Sequence, residues 1–245
     1  TLLNLLERSG ALPFDSYYQN QGTDIYNSGV NYNVLCRKVK DVARASASLS
    51  MLDQHVTDLL DREVGCLPRI IALYGATYTP HEFAHSLCLP GDYVAMTSFT
   101  HHPFGSKFAL ETPDNRFGDT FLNLPIDTLM KRIGHSLQSG HAVCWEGDTS
   151  EAGFRFAEGR ATMPEGTKAT QEERQRLFDR RQTTDDHCME LCGLARDRKG
   201  QRFFIAKNSW GKGNRYKGFM YLSDDYVRLK TIAVYMRMPI EPLNQ

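Results

Sequence analysis

The stretch from His187 to Gly211 constrains this chain more than any other. Strand-like residues follow His187, from Met189 to Leu194; a turn at Asp197 to Gly200 reverses the chain; and a second run, Arg202 to Ala206, leads into Asn208-Ser209-Trp210-Gly211. Two antiparallel strands joined in this way bring His187 and Asn208 side by side at one end of a sheet. That pairing has a chemical meaning. An amide oxygen that accepts from one imidazole nitrogen fixes the tautomer and aims the other nitrogen at a thiol nucleophile. Trp210, just past Asn208, is placed to cover the hydrogen bond and keep water away. The plainer alternative is a core histidine and a turn asparagine on an ordinary hairpin.

The rest of the chain divides by periodicity into a helical part, residues 1–90, and a β-rich part, residues 91–245. Leu2, Leu3, Leu5 and Leu6 form a short amphipathic helix that stops at Ser9-Gly10, and a turn-rich stretch follows from Pro13 to Gly29. Apolar residues recur at helical spacing from Asn33 to Leu60, with a run of small residues at 43–48 that marks either a close contact or a break between two helices. Short strands are predicted at 93–96, 142–145, 189–194, 203–206, 219–221 and 232–236, with a helix from Leu124-Pro125 to Leu137. Charges crowd 165–185, the pattern of a solvated helix or loop. The chain opens in mid-helix with no initiator Met, as a fragment or processed product does.

Composition excludes some partners. The 245 residues carry 29 basic and 29 acidic side chains, so no long-range field gathers polyanions, and nucleic acid is not expected as a partner. No apolar run reaches the ~18 residues of a membrane span. Six cysteines, at 36, 66, 88, 144, 188 and 192, form no CxxC pair and read as free, mostly buried thiols.

His187, Gly193, Lys207-Asn208-Ser209-Trp210-Gly211 and Gly218-Phe219 together resemble, in order and spacing, the histidine and asparagine blocks of the papain-like cysteine peptidases. Within that family the likeness is to the bleomycin hydrolase and aminopeptidase C branch. It extends to residues 2–17, to Thr79-Pro80-His81-Glu82-Phe83, to Asn123-Leu124-Pro125-Ile126-Asp127 and to the approach 168–186. Between Tyr74 and Thr79 the chain is shorter than that branch. The resemblance implies an α+β papain-like fold and peptide-bond hydrolysis through a thioester, with His187 as acid and base and Asn208 as its orienter. It further implies short-peptide substrates cut from their ends, a homo-oligomer (a hexamer), no cofactor, and a cytoplasmic setting, with export or a periplasm left open. A C-terminal tail restricts that branch to chain ends. This chain stops soon after Met238-Pro239-Ile240-Glu241-Pro242, so exo- against endopeptidase mode stays open.

The nucleophile is the missing part. The resemblance calls for a cysteine at a helix N-terminus, where the dipole and the imidazolium favour the thiolate. Residues 2–17 resemble what the family places after that helix, so the cysteine is expected upstream of Thr1. Cys36 is the runner-up: it lies well before His187 and follows Gln19-Asn20-Gln21-Gly22, but Asn33 to Lys38 places it inside a helix. Cys144-Trp145 sits in a strand, and Cys188 alternates to the face opposite His187.

Two other classes compete. His81-Glu82-Phe83-Ala84-His85 has the H-E-x-x-H form of zinc peptidases. Yet Thr79 is an N-cap, Pro80 stands at the first helical position, and Thr79-x-x-Glu82 is a capping box that already occupies the glutamate. His101-His102 and His187-Cys188 with Cys192 lack recognised zinc spacing. The third class is a catalytically inactive papain-like binding or assembly module.

Overall fold

The computed structural model describes residues 2–13, 16 and 31–238. Most of the turn-rich stretch, Gln19 to Gly22 within it, and the end from Pro239 lie outside the described residues. The chain separates into two compact units, Leu2–Leu89 and Pro90 onward.

In the first unit α1 (Leu2–Ser9), α2 (Tyr32–Ala45) and α3 (Leu49–Glu63) precede a small hairpin, β1 (Ile71–Leu73) and β2 (Ala76–Tyr78), and then α4 (Pro80–Leu87). The small-residue run is a break. Ser46 caps α2 from its C-terminal side, and Ser48 caps α3 by accepting from the Met51 N–H. Sequence periodicity missed the hairpin: its strands are three residues each and show no alternation in burial.

The second unit is built on one sheet. Its elements are β3 (Tyr93–Thr97), β4 (Lys107–Ala109), β5 (Thr120–Asn123), α5 (Ile126–Gln138), β6 (Val143–Gly147), β7 (Phe154–Arg155), β8 (Arg160–Ala161), α6 (Gln171–Asp179), β9 (His187–Arg196), β10 (Arg202–Lys207), β11 (Phe219–Ser223), α7 (Asp224–Lys230) and β12 (Thr231–Arg237). Strand order is β4-β5-β3-β12-β6-β9-β10-β11-β8-β7. The alternation of β6 buries Val143, Trp145 and Gly147. The same rule turns Met189 and Leu191 of β9, Phe204 and Ala206 of β10, and Met220 and Leu222 of β11 to the inner face, with Leu129 and Ile133 of α5 and Tyr226 and Val227 of α7 in the same core.

Two expectations need correction. The charged run does not simply face water: α6 buries Arg174 and Gln175. Arg174 donates through Nε to the Ser98 carbonyl at 2.7 Å and through Nη1 to the Arg228 carbonyl at 2.8 Å, and its guanidinium lies 4.6 Å from the Phe99 ring centre. These contacts replace only part of the hydration that burial removes: Nη2 has no hydrogen-bond partner among the described residues, and desolvation lowers the pKa to about 9. Nor are the thiols mostly buried. Cys36, Cys66, Cys188 and Cys192 are exposed and Cys88 and Cys144 half-buried; for Cys144 and Cys188 the reason is strand alternation, which puts both on the outer face of the sheet. No described helix is long and apolar enough to cross a membrane.

Candidate active site

β9 begins at His187 and β10 ends at Lys207, the residue before Asn208, so the antiparallel ladder delivers both side chains to one end of the sheet. Cys192 is an extra residue in that ladder: Leu191 pairs with Ala206 and Gly193 with Ile205. The bulge changes which residues of β9 face inward, so that His187 and Asn208 share the inner face. His187 Nε2 lies 2.9 Å from Asn208 Oδ1. The amide orientation follows from its other end, where Nδ2 points at the Met220 sulfur, 3.7 Å away. Asn208 Oδ1 therefore accepts from His187 Nε2–H, and Nδ1 carries the lone pair in the neutral ring. Nδ1 has no hydrogen-bond partner among the described residues.

The loop after Asn208 is shaped by Asn214, which sequence reasoning missed. Its Oδ1 accepts from the N–H groups of Tyr216 and Gly218, and its Nδ2 donates to the Phe219 carbonyl. Gly218 then accepts from Asn208 N–H at 3.0 Å. Gly218 has φ +95°, and a Cβ there would meet the Gly211 carbonyl at 2.8 Å, so this position needs glycine.

Trp210 stands against His187, ring centres 4.7 Å apart. Phe154 and Phe156 hold it edge-on at 5.7 and 5.2 Å. Trp210 remains half exposed, whereas Asn208 is 6% exposed. The aromatic-x-aromatic pattern at 154–156 was the available signal for this support, but two-residue strands carry almost no periodicity.

The approach to His187 is pinned from beneath. Asp186 accepts from Thr149 N–H and hydroxyl at 2.8 and 3.0 Å, and Asp148 accepts from Thr184 N–H. Asp148 also meets the fully buried Lys230 ammonium at 3.3 Å, which touches Glu151 and donates to the Gln182 carbonyl. Asp185 shares a hydrogen bond with Glu146; burial first, and the Glu146 charge next, push it up to about 7. On the outer face, contact with the Cys144 thiol holds Cys188 above the usual thiol range.

The other candidates sit elsewhere. In α4 the capping box is formed: Thr79 N–H donates to Glu82 at 2.7 Å and Glu82 N–H to Thr79 Oγ1 at 3.2 Å, with His81 and His85 exposed. Cys36 lies in α2, one turn from the Asn31 cap, with its thiol exposed. Among the described residues one group, His101, His102 and Glu111, offers three ligand atoms within 4.8 Å of one another. Its hydrogen bonding suits a proton better than a metal. Gln175 accepts from Thr100 N–H and donates to Asp179, which fixes its amide and turns Nε2 toward His101 Nδ1 at 3.0 Å. His101 thus carries its proton on Nε2 and donates it to Glu111, whereas a metal-bound ring needs that nitrogen bare and an acceptor behind it.

Comparison with known proteins bears on the fold and the family. Residues 75–237 match the Peptidase C1-like family. No curated protein matches the chain. Among solved structures, PepW from Lactobacillus rhamnosis HN001 superposes with a TM-score of 0.68 at 19% identity, over 96% of this chain and 61% of that one. The chain therefore spans less than two thirds of that structure. Bromelain from Ananas comosus with the E64 inhibitor (16% identity, 47% of this chain and 46% of that one) and the ragweed allergen Amb a 11 cysteine protease in its proform (17%, 46% and 30%) each give 0.31. The fold is α+β and papain-like, and the family match upholds the likeness to papain-like peptidases of the bleomycin hydrolase and aminopeptidase C branch. The chain belongs to the Peptidase C1-like family.

Proposed function

We propose that this chain supplies the histidine and asparagine of a Cys-His-Asn peptidase site and that the cysteine is contributed from upstream of Thr1. The observation that carries the reading is the 2.9 Å bond from His187 Nε2 to Asn208 Oδ1, with Nδ1 bonded to no other described residue. In this reading Nδ1 takes the thiol proton, the thiolate attacks the peptide carbonyl, and the imidazolium protonates the leaving amine. The neutral ring then activates water against the thioester. Asn208 keeps the ring in one tautomer, and Trp210 shields the bond between them. The upstream placement is supported by residues 2–17 and by the outer-face position of Cys144, Cys188 and Cys192. Family resemblance supports aminopeptidase action on short peptides and assembly into homo-oligomers.

The test is labelling with an epoxide or iodoacetamide probe, followed by peptide mapping, on Thr1–Gln245 and on a form extended upstream, each with and without His187→Ala. His187-dependent labelling of a cysteine before Thr1 is the expected result. His187-dependent labelling at Cys36 would move the nucleophile into this chain. No specific labelling in either form, with stoichiometric zinc and activity lost on His81→Ala, would replace the reading by a metallopeptidase. No labelling and no zinc would leave an inactive binding module.

A further inference from the structure

The outer face of the sheet carries a cavity of about 680 Å³, lined by the β7–β8 turn, the end of β9, the start of β10, and the segment leading into β11. Phe203 and Tyr221 form its floor and point away from the core face that holds His187 and Asn208. Tyr216 stands edge-on to Tyr221, ring centres 5.0 Å apart. It packs directly on the backbone of Gly159, where φ is +64° and a Cβ would collide with the ring, so the wall is built into the chain path. Neither tyrosine hydroxyl bonds another described residue.

Three guanidinium groups, those of Arg160, Arg196 and Arg215, surround this aromatic floor. Arg160 lies 3.7 Å from Glu158, which Arg155 also holds at 3.2 Å. Arg196 commits one N–H to the Gly200 carbonyl, and Arg215 lies 5.6 Å from the centre of the Tyr216 ring; neither meets a carboxylate among the described residues. The second acid on the wall, Asp197, already accepts from the N–H groups of Lys199 and Gln201. The remaining chemistry is two unpaired planar forks beside exposed aromatic faces.

We propose that this cavity binds an acidic peptide segment, with a carboxylate on Arg196 and Arg215 and a neighbouring apolar or aromatic side chain on Tyr216, Tyr221 and Phe203. Arginine forks match a carboxylate bidentately, and the volume falls in the range of small-ligand sites, enough for two or three side chains. Inorganic phosphate has no apolar part to lie on Tyr216, Tyr221 and Phe203, which favours the peptide as occupant. The site is separate from the His187 centre and does not depend on the peptidase reading.

The experiment is an amide-shift NMR titration of the 245-residue chain with the capped peptide Phe-Glu-Phe-Asp and its neutral counterpart Phe-Gln-Phe-Asn, at low ionic strength. Shifts clustered at Gly159, Tyr216 and Tyr221 are expected with the acidic peptide. Affinity should fall roughly tenfold or more in Arg196→Ala/Arg215→Ala and with the neutral peptide. Both arginines are exposed, so the variant keeps its fold; Tyr216→Ala, which removes the wall, should weaken both peptides. Equal binding of the two peptides, shifts centred on His187 and Trp210, displacement of the acidic peptide by equimolar inorganic phosphate, or no saturable binding would each overturn the proposal.

Discussion

His187 and Asn208, separated by 21 positions in the chain, meet through a 2.9 Å hydrogen bond that leaves the imidazole one tautomer. Asn208→Ala removes the acceptor, so the neutral ring should become a mixture of Nδ1–H and Nε2–H forms. Nitrogen NMR of the imidazole reads this directly in the present chain. In a form that carries the nucleophile, kcat should fall by about a hundredfold, the cost of a misaligned reacting group. An unchanged tautomer would show that Asn208 does not orient the ring.

The contact between His187 and Trp210 makes a spectroscopic handle. The chain has two tryptophans. Trp145 is fully buried with its Nε1–H on the Thr231 hydroxyl at 2.7 Å, so emission that responds to His187 should come from Trp210. An imidazole in contact with an indole quenches it, so His187→Ala should raise the emission in the wild type and in Trp145→Phe alike. Emission that does not change on His187→Ala in the Trp145→Phe background would show that the two rings do not touch.

The hairpin from His187 to Asn208 was legible in sequence because its strands alternate, its turn residues punctuate, and its end residues carry chemistry. The break between α2 and α3 was legible as one of two readings, since small residues serve either a contact or a cap. What escaped is long-range or short-stranded. Lys230 meets Asp148 across 82 positions, Arg174 meets Arg228 across 54, and nothing local in either sequence window marks a buried cation. Phe154, Phe156 and Asn214 escaped because two-residue strands and loops have no period. The buried-thiol expectation failed at Cys144 and Cys188 for a reason of position: a cysteine in a strand follows its face before its own hydrophobicity.

Asp185 should make stability depend on pH in a direction unusual for a carboxyl. Its folded pKa of about 7 lies above the ordinary carboxylate value, so the folded state holds a proton that the unfolded state has lost. The associated stability is fully present below about pH 4 and is lost as pH rises to about 7. Asp185→Asn keeps a donor for Glu146 without the charge. It should gain on the wild type across that window, by about 1–2 kcal/mol once screening at this partly exposed site is allowed for. Urea unfolding at several pH values measures it. A difference that stays flat from pH 4 to 7 would mean that Asp185 titrates normally.

Lys230 is the sharpest test of how the histidine approach is held. Its ammonium is fully buried with Asp148 at 3.3 Å, Glu151 in contact and the Gln182 carbonyl as a further acceptor. Asp148 in turn accepts from Thr184 N–H, and Asp186 N–H reaches the Gly147 carbonyl, so the same network fixes both strands that begin or end beside His187. Lys230→Met leaves the Asp148 charge buried without its counter-ion and should destabilise the chain by about 3–5 kcal/mol. Adding Asp148→Asn should restore part of that loss, because the orphaned charge goes with it. The double variant should still show altered His187 ring signals, since the bonds to Gln182 and the 148–151 loop are gone. Additive losses in the two single variants would mean that the pair acts independently, and unchanged ring signals would mean that the network supports the fold without positioning His187.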